Sequence, residues 1–220
     1  PLLANLFLHY AFDDWMKRTE SEIEFERYAD DIIVHCGSER EAERVMGKIR
    51  ERLRQCKLEL HSEKTKIVYC KDGRRTGQYG ITEFDFLGFT FRARRAKNRK
   101  GEVFTNFLPA VSKKAAKAFR EKVRGMKLTG KGTQLSIDGV AEVVNPVVRG
   151  WYSYYEEYYK TCAKIVLRYL NQRLVEWAVR KYKRFRRKGK AAKHWLDRIA
   201  GKEKELFFHW QIGIRPRLGW

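Results

Sequence analysis

The sequence predicts an α+β chain: a sheet-and-helix layer over residues 1–91, then a largely helical region from 109 to 220. Three observations predict it. Ile23-Glu24-Phe25-Glu26-Arg27-Tyr28 alternates with period two, and Ile32-Ile33-Val34-His35-Cys36 is β-branched and apolar, which together read as two strands. From Ser112 onward the apolar residues recur at helical spacing instead. The charge divides at the same place. Residues 1–91 hold 15 Lys and Arg against 17 Asp and Glu, a net −2, whereas residues 92–220 hold 33 against 10, a net +23.

Leu2 to Trp15 reads as a helix, with Leu3, Leu6, Phe7 and Tyr10 at helical spacing and no Gly or Pro. The hairpin of 23–36 follows. Ser38-x-x-Glu41 is a capping box, opening a helix whose stripe is Ala42, Val45, Met46, Ile49 and Leu53. Leu58–Leu60 and Lys66–Cys70 read as strands, residues 71–80 as a Gly- and charge-rich loop, and Phe84–Phe91 as a strand or hairpin. Residues 92–108 form a basic linker or hairpin, with a short strand from Val103 to Leu108. Ser112 caps a helix to about Arg124. Asn145-Pro146 opens another, through Tyr155. A long helix from about Thr161 to Arg184 buries Ile165, Val166, Tyr169, Leu170, Leu174 and Trp177. No internal repeat is present.

A hydrophobic content of 43% suffices for real cores and excludes a disordered chain. No apolar run reaches the ~18 residues of a membrane span, and no secretory leader is seen. Cys36, Cys56, Cys70 and Cys162 include no C-x-x-C pair. They read as reduced, mostly buried thiols in a cytoplasmic protein, with neither a zinc site nor a disulfide framework. The basic second half calls for a polyanion, with nucleic acid first and a membrane surface second. The chain opens at Pro1 inside an apolar segment, as a piece of a longer protein would.

Tyr28-Ala29-Asp30-Asp31 carries the chemistry. Two adjacent carboxylates fall at a tight turn between apolar strands. Asp-Asp is also an ordinary turn dipeptide, but a charged pair between apolar strands is costly to desolvate unless cations compensate it. Hard oxygen ligands suit Mg²⁺. Two such ions roughly 3.5–4 Å apart stabilise the attacking and leaving oxygens of an in-line phosphoryl displacement.

With these residues placed, the chain resembles the reverse transcriptase and maturase encoded by group II introns. Pro1-Leu2-Leu3-Ala4-Asn5 is similar to the end of the palm motif that enters the helix before the active-site hairpin. Tyr28-Ala29-Asp30-Asp31 matches the family's YADD box. Leu58-Glu59-Leu60-His61-Ser62-Glu63-Lys64-Thr65-Lys66-Ile67 is similar to a family segment with Leu-x-Leu, an Asn and a Lys-Thr; His61 or Ser62 replaces the Asn here. Phe86-Leu87-Gly88-Phe89 matches the box that borders the primer end. Asn145-Pro146 through Arg149-Gly150-Trp151-x-x-Tyr154-Tyr155 resembles the maturase, or thumb, helix. These boxes occur in the family's order over nearly the whole chain.

The resemblance implies a partial right-hand polymerase palm over 1–91, an antiparallel sheet covered by helices. A basic linker or hairpin follows over 92–108, then an all-α thumb/maturase domain over 109–220. It implies RNA-directed DNA synthesis by two-metal phosphoryl transfer with two Mg²⁺ ions. Asp30 is then a catalytic metal ligand, Asp31 a secondary one, and a third carboxylate lies upstream of this chain, which alone should not polymerise. Tyr28 and Ala29 would border the primer terminus and incoming nucleotide, as would Leu87 and Gly88. Lys64 is either a phosphate contact, or the acid that protonates pyrophosphate, or a solvated lysine. The implied partners are the parent intron RNA, an RNA template with DNA primer, dNTPs and a DNA target.

Arg149, Tyr152, Lys181, Lys183, Arg184, Arg186, Arg187, Lys188, Lys190 and Lys193 are the expected RNA contacts. The run from 180 to 193 is too dense in like charge for an ordinary solvated face. Trp151, Tyr152, Tyr154, Tyr155, Tyr158 and Tyr159 either stack on bases or form core, with Tyr152 and Arg149 nearest the surface. Asp13-Asp14 reads as a solvated helix end. An RNA-binding splicing factor without polymerase activity and a defence-associated reverse transcriptase are the alternatives. No C-x-x-C or H-N-H-like cluster follows the maturase region, so an endonuclease is not expected.

Overall fold

A computed structural model describes residues 2–75 and 77–217. The chain is mixed α/β, and its contacts divide it into two compact units. One holds the described residues up to Phe86 together with Arg95–Asn106; the other holds Leu87–Arg94 and the described residues from Phe107 onward.

In the first unit α1 (Leu2–Leu8) runs through a π-helical turn (His9–Asp13) into α2 (Asp14–Thr19). The expected apolar stripe of this helix is not the buried one. Leu3, Leu6, Phe7 and Tyr10 are exposed, while Ala11, Phe12 and Met16 face the core. Strands β1 (Phe25–Tyr28) and β2 (Asp31–Val34) pair antiparallel, Phe25 opposite Val34 and Tyr28 opposite Asp31. Helix α3 (Glu39–Gln55) starts where expected: the Ser38 hydroxyl accepts from the Glu41 amide at 3.2 Å. The Glu41 carboxylate accepts from the Gly37 amide at 2.6 Å, one residue before the position of a standard capping box. Val45, Ile49 and Leu53 of α3 close a small core with Phe12 and Met16. Glu20 is buried beside it, ion-paired to Arg44 and Lys48.

Leu58–Leu60 and Lys66–Cys70 do not form strands. Leu58 and Leu60 pack against the small core as extended chain. Among the described residues, Tyr69 alone of the second segment donates a backbone bond to a distant part of the chain, to Ile81 O at 2.9 Å. Alternation predicts an extended backbone there, but a ladder needs successive bonds to a neighbour.

A three-stranded sheet has the order β3 (Glu83–Phe86), β4 (Phe89–Lys97), β5 (Val103–Val111). The basic stretch is therefore mostly strand, turning at residues 98–102, where the Asn98 side chain bonds the amide and carboxylate of Glu102.

The second unit is helical beyond β5: α4 (Lys113–Gly125), α5 (Ile137–Tyr155), α6 (Lys160–Lys181), α7 (Gly189–Lys202) and α8 (Phe208–Gln211). Ser112 caps α4 as expected. Asn145-Pro146 does not open a helix. Ser136 caps α5 nine residues earlier, and Pro146 sits inside. The carbonyl that Pro146 cannot bond belongs to Glu142, an exposed residue with access to water. Asn145 instead ties α5 to the chain before α8, donating to Leu206 O and accepting from the Phe208 amide, both at 2.9 Å.

The large core centres on α6. Val166, Leu167, Leu170, Leu174 and Trp177 are buried, whereas Ile165 points outward, 50% exposed. Trp177 donates its indole N–H to Gly132 O at 2.9 Å; truncating so large a buried side chain to Ala costs about 3–5 kcal/mol. Asn171 is buried too. Its amide donates to Ile214 O, so its oxygen accepts from Trp210 Nε1 and His209 Nε2, both at 3.0 Å. The four cysteines are free and half-buried rather than buried. Among the described residues no helix is long and apolar enough to cross a membrane.

Candidate active site and nucleic-acid interface

Ala29 and Asp30 are the two turn residues between β1 and β2. Ala29 has φ 55°, the left-handed value that primed hairpin turns require. Arg27 holds the turn from within the unit. Its Nη1 donates to Ala29 O at 2.9 Å and to Asn5 Oδ1 at 3.1 Å, while Nε and Nη2 form a fork to the Asp13 carboxylate, both at 2.7 Å. Hydrogen bonding from Arg27 holds the Asp13 carboxyl below its usual range, against the opposing effect of burial. Asp13 is thus a clamp residue, not a solvated helix end. Strand alternation carried the signal: Ile23, Phe25 and Arg27 share one face, and an inward-facing Arg needs a carboxylate.

Asp30 and Asp31 are exposed, and neither forms an ion pair with a described residue. Tyr28, opposite Asp31, is 64% exposed. Two free, adjacent carboxylates fit a hard divalent cation. Among the described residues no group of three His, Cys, Asp or Glu side chains could hold a metal. Lys64 ends a turn at 62–64 and is exposed, with its amide bonded to His61 O at 3.2 Å. No hydrogen bond or ion pair links it to the acidic turn.

Leu87 and Gly88 are the turn between β3 and β4, with φ 48° and 80°. The second unit anchors them. Tyr154 Oη donates to Leu87 O and the Ser112 amide donates to Gly88 O, both at 2.9 Å. A Cβ on Gly88 would lie 2.5 Å from Tyr155 Oη. Phe89 packs against the rings of Tyr154, Tyr155 and Tyr158 at 5.0–5.4 Å. The tyrosines of α5 and beyond therefore position this turn, a role that their spacing on a helix did not disclose.

The expected RNA contacts separate. Tyr152 is 3% exposed and packs edge-on against Phe208, so it is core, not surface; burial pushes its phenol up. Lys181 is half-buried and gives one ammonium hydrogen bond to Thr133 O at 2.9 Å. Lys193 is half-buried. Arg149 is exposed, with its guanidinium 5.5 Å from the Phe208 ring. Lys183, Arg184, Arg186, Arg187, Lys188 and Lys190 are all exposed. Buried Phe185, packed against Tyr182 and Trp195, pins their segment to the core.

Comparison with known family models matches both halves of the chain. Residues 1–91 match the family model of the reverse transcriptase, an RNA-dependent DNA polymerase, and residues 116–195 match the maturase-specific domain of group II introns. No curated protein matches the chain. The reverse-transcriptase match contains both the Tyr28–Asp31 and the Leu87-Gly88 turns, and the maturase match contains the exposed basic segment. With the two models matched in this order along one polypeptide, the chain belongs to the group II intron reverse transcriptases, with a maturase role.

Proposed function

We propose that residues 1–91 are part of a polymerase palm, that 92–108 form a basic hairpin, and that 109–220 are the thumb and maturase domain. The carrying observation is the acidic pair, presented to solvent at a two-residue hairpin turn with no described cation ion-paired to it. Asp30 and Asp31 hold Mg²⁺ together with a third carboxylate from outside these residues. Such a site would supply activation of the primer 3′-hydroxyl and stabilisation of the charge on the transferring phosphoryl. Arg27 and Asp13 position the turn backbone, so that the carboxylates are held without being neutralised. The exposed Tyr28 ring and the small Ala29 border the primer terminus and incoming nucleotide. Leu87 and Gly88 border the primer strand, and Lys64 is available for a phosphate.

The maturase role rests on phosphate contacts from Arg149, Lys183, Arg184, Arg186, Arg187, Lys188 and Lys190 to the intron RNA. The polymerase takes an RNA template with DNA primer, dNTPs and, at insertion, a DNA target. Free thiols at all four cysteines fit a reducing compartment, hence the cytoplasm.

Primer extension tests the reading. Residues 1–220 alone are expected to be inactive, and a chain supplying the fingers and the remaining palm carboxylate active. In that longer chain Asp30→Ala should lower synthesis by a thousandfold or more, because lost metal stabilisation is worth several kcal/mol and each ~1.4 kcal/mol is tenfold. Its affinity for intron RNA should persist. Near-normal extension by Asp30→Ala would sink the assignment.

A further inference from the structure

The packing of α4 against α5 leaves an open, mainly apolar groove of about 390 Å³, lined by Phe119, Lys122, Pro146, Val147, Gly150 and Trp151. Phe119 is buried at its floor, and the half-buried Trp151 ring lies 4.5 Å from it, centroid to centroid. Tyr155 continues the stack at 4.7 Å from Trp151.

Gly150 is the unexplained member. It lies inside α5, where Gly costs about 0.5–1 kcal/mol relative to Ala. Close packing against a neighbouring element often repays that cost, but not here: a Cβ on Gly150 would meet no atom within 4 Å beyond its chain neighbours and its own helix backbone. Its φ is not left-handed either. What the missing side chain does is keep the groove beside Trp151 open.

One cation stands at the rim: Lys122 lines the groove and is exposed. An apolar aromatic slot bordered by a cation complements a flat apolar ring attached to a phosphate.

We infer that the groove between α4 and α5 receives a base of single-stranded RNA, stacked on Trp151, with Lys122 meeting its phosphate. The volume lies within the ~300–1,000 Å³ of small-molecule sites, and stacking on an aromatic side chain tolerates any base. The inference rests on the RNA-binding reading above and adds to it a contact that salt does not screen.

The test is a fluorescence-anisotropy titration of residues 1–220 with a short labelled oligouridylate and with the abasic ribose-phosphate strand of equal length, over a salt series. The protein should prefer the base-bearing strand by roughly 5- to 100-fold, the worth of one stacked base. Gly150→Leu, which fills the groove, should abolish that preference and change the salt slope by no more than about 0.7–0.9, the single contact of Lys122. Gly150→Ala reports on folding; its melting temperature should equal or exceed that of the parent, because the added Cβ meets nothing. Changing Lys183, Arg184, Arg186, Arg187 and Lys188 together to Gln should do the reverse, making the slope shallower by up to ~4 while the base preference stays.

Equal binding of both strands by the parent, or a preference that survives in Gly150→Leu, overturns the groove and leaves the phosphate reading standing. Absence of salt-dependent binding to either strand overturns both.

Discussion

The turn at Ala29-Asp30 and the turn at Leu87-Gly88 each join two strands through two residues, and each holds a non-glycine residue at positive φ, 55° at Ala29 and 48° at Leu87. They differ in what is restrained. At the first, one protein hydrogen bond, from Arg27, steadies a backbone carbonyl, and the side chains of Tyr28, Asp30 and Asp31 stand in water. At the second, both turn carbonyls are taken by protein donors and a phenol closes off the space beside Gly88. A turn whose side chains must meet an ion leaves them free. A turn whose backbone does the work is fixed atom by atom.

The contrast extends to the units that carry the turns. The first keeps charge inside: Asp13 forks with Arg27, and Glu20 pairs with Arg44 and Lys48. The second buries a neutral group. His209 is fully buried, its Nε2 proton goes to Asn171, and its Nδ1 has no partner among the described residues. Burial pushes the His209 pKa down to about 3.

The largest expected effect follows from that difference. The folded pKa of His209 lies below its ordinary value of 6.5, so between pH 6.5 and about 3 the unfolded chain binds the extra proton. Stability of the second unit should therefore be whole above pH 6.5 and fall as the pH drops, by up to about 4–5 kcal/mol at the low end. Hydrogen bonds from Arg27 and Lys48 respectively lower Asp13 and Glu20 in the first unit. Their contribution is intact above their ordinary values of 3.8 and 4.5 and is lost only as the pH falls further. Amide exchange followed by mass spectrometry against pH should show the second unit loosening first. His209→Gln should remove most of that early loss; if the two units loosen together in the parent, the contrast fails.

Next comes Gly88→Ala. Positive φ and the approach to Tyr155 Oη should together cost about 1–3 kcal/mol, read as a lower melting temperature. The phenol is the movable party, so adding Tyr155→Phe should return part of the loss. No recovery would mean that the backbone angle alone forbids the side chain. Tyr154→Phe removes only the bond to Leu87 O. At a half-exposed site it should cost about 0.5–1 kcal/mol and speed amide exchange in β4. An unchanged exchange rate would make Tyr154 a bystander.

The sequence discloses these sites unevenly. Strand alternation placed the hairpin, and Ser38 and Ser112 marked helix starts correctly, because caps and period-two patterns act over a few residues. Asn145-Pro146 misled, because Pro at a first helical turn and Pro inside a helix with a solvated carbonyl look alike in sequence. Leu58–Leu60 misled because extended chain and paired strand share one pattern. Tyr152 and Trp151 are neighbours on one helix, and only the packing of α4 and α8 decides which is core and which lines a groove. The clamp from Asp13 to Arg27 spans 14 residues of chain, and no local pattern joins its ends.

The smallest effect is the finest probe of the acidic turn. Ala29 holds a left-handed φ that costs an L-residue about 1–2 kcal/mol. Ala29→Gly relieves that cost but also frees the unfolded chain, which takes back about 0.5–1 kcal/mol. The net should be a gain of about 0.5 kcal/mol, read as a higher urea midpoint with unchanged m-value. Leu87→Gly makes the matching change in the anchored turn, but it also removes a half-exposed side chain, so its gain should be smaller. If Ala29→Gly instead destabilises the hairpin, the Arg27 bond to Ala29 O depends on the Cβ narrowing the turn's conformations, and the acidic turn is as tightly held as the other.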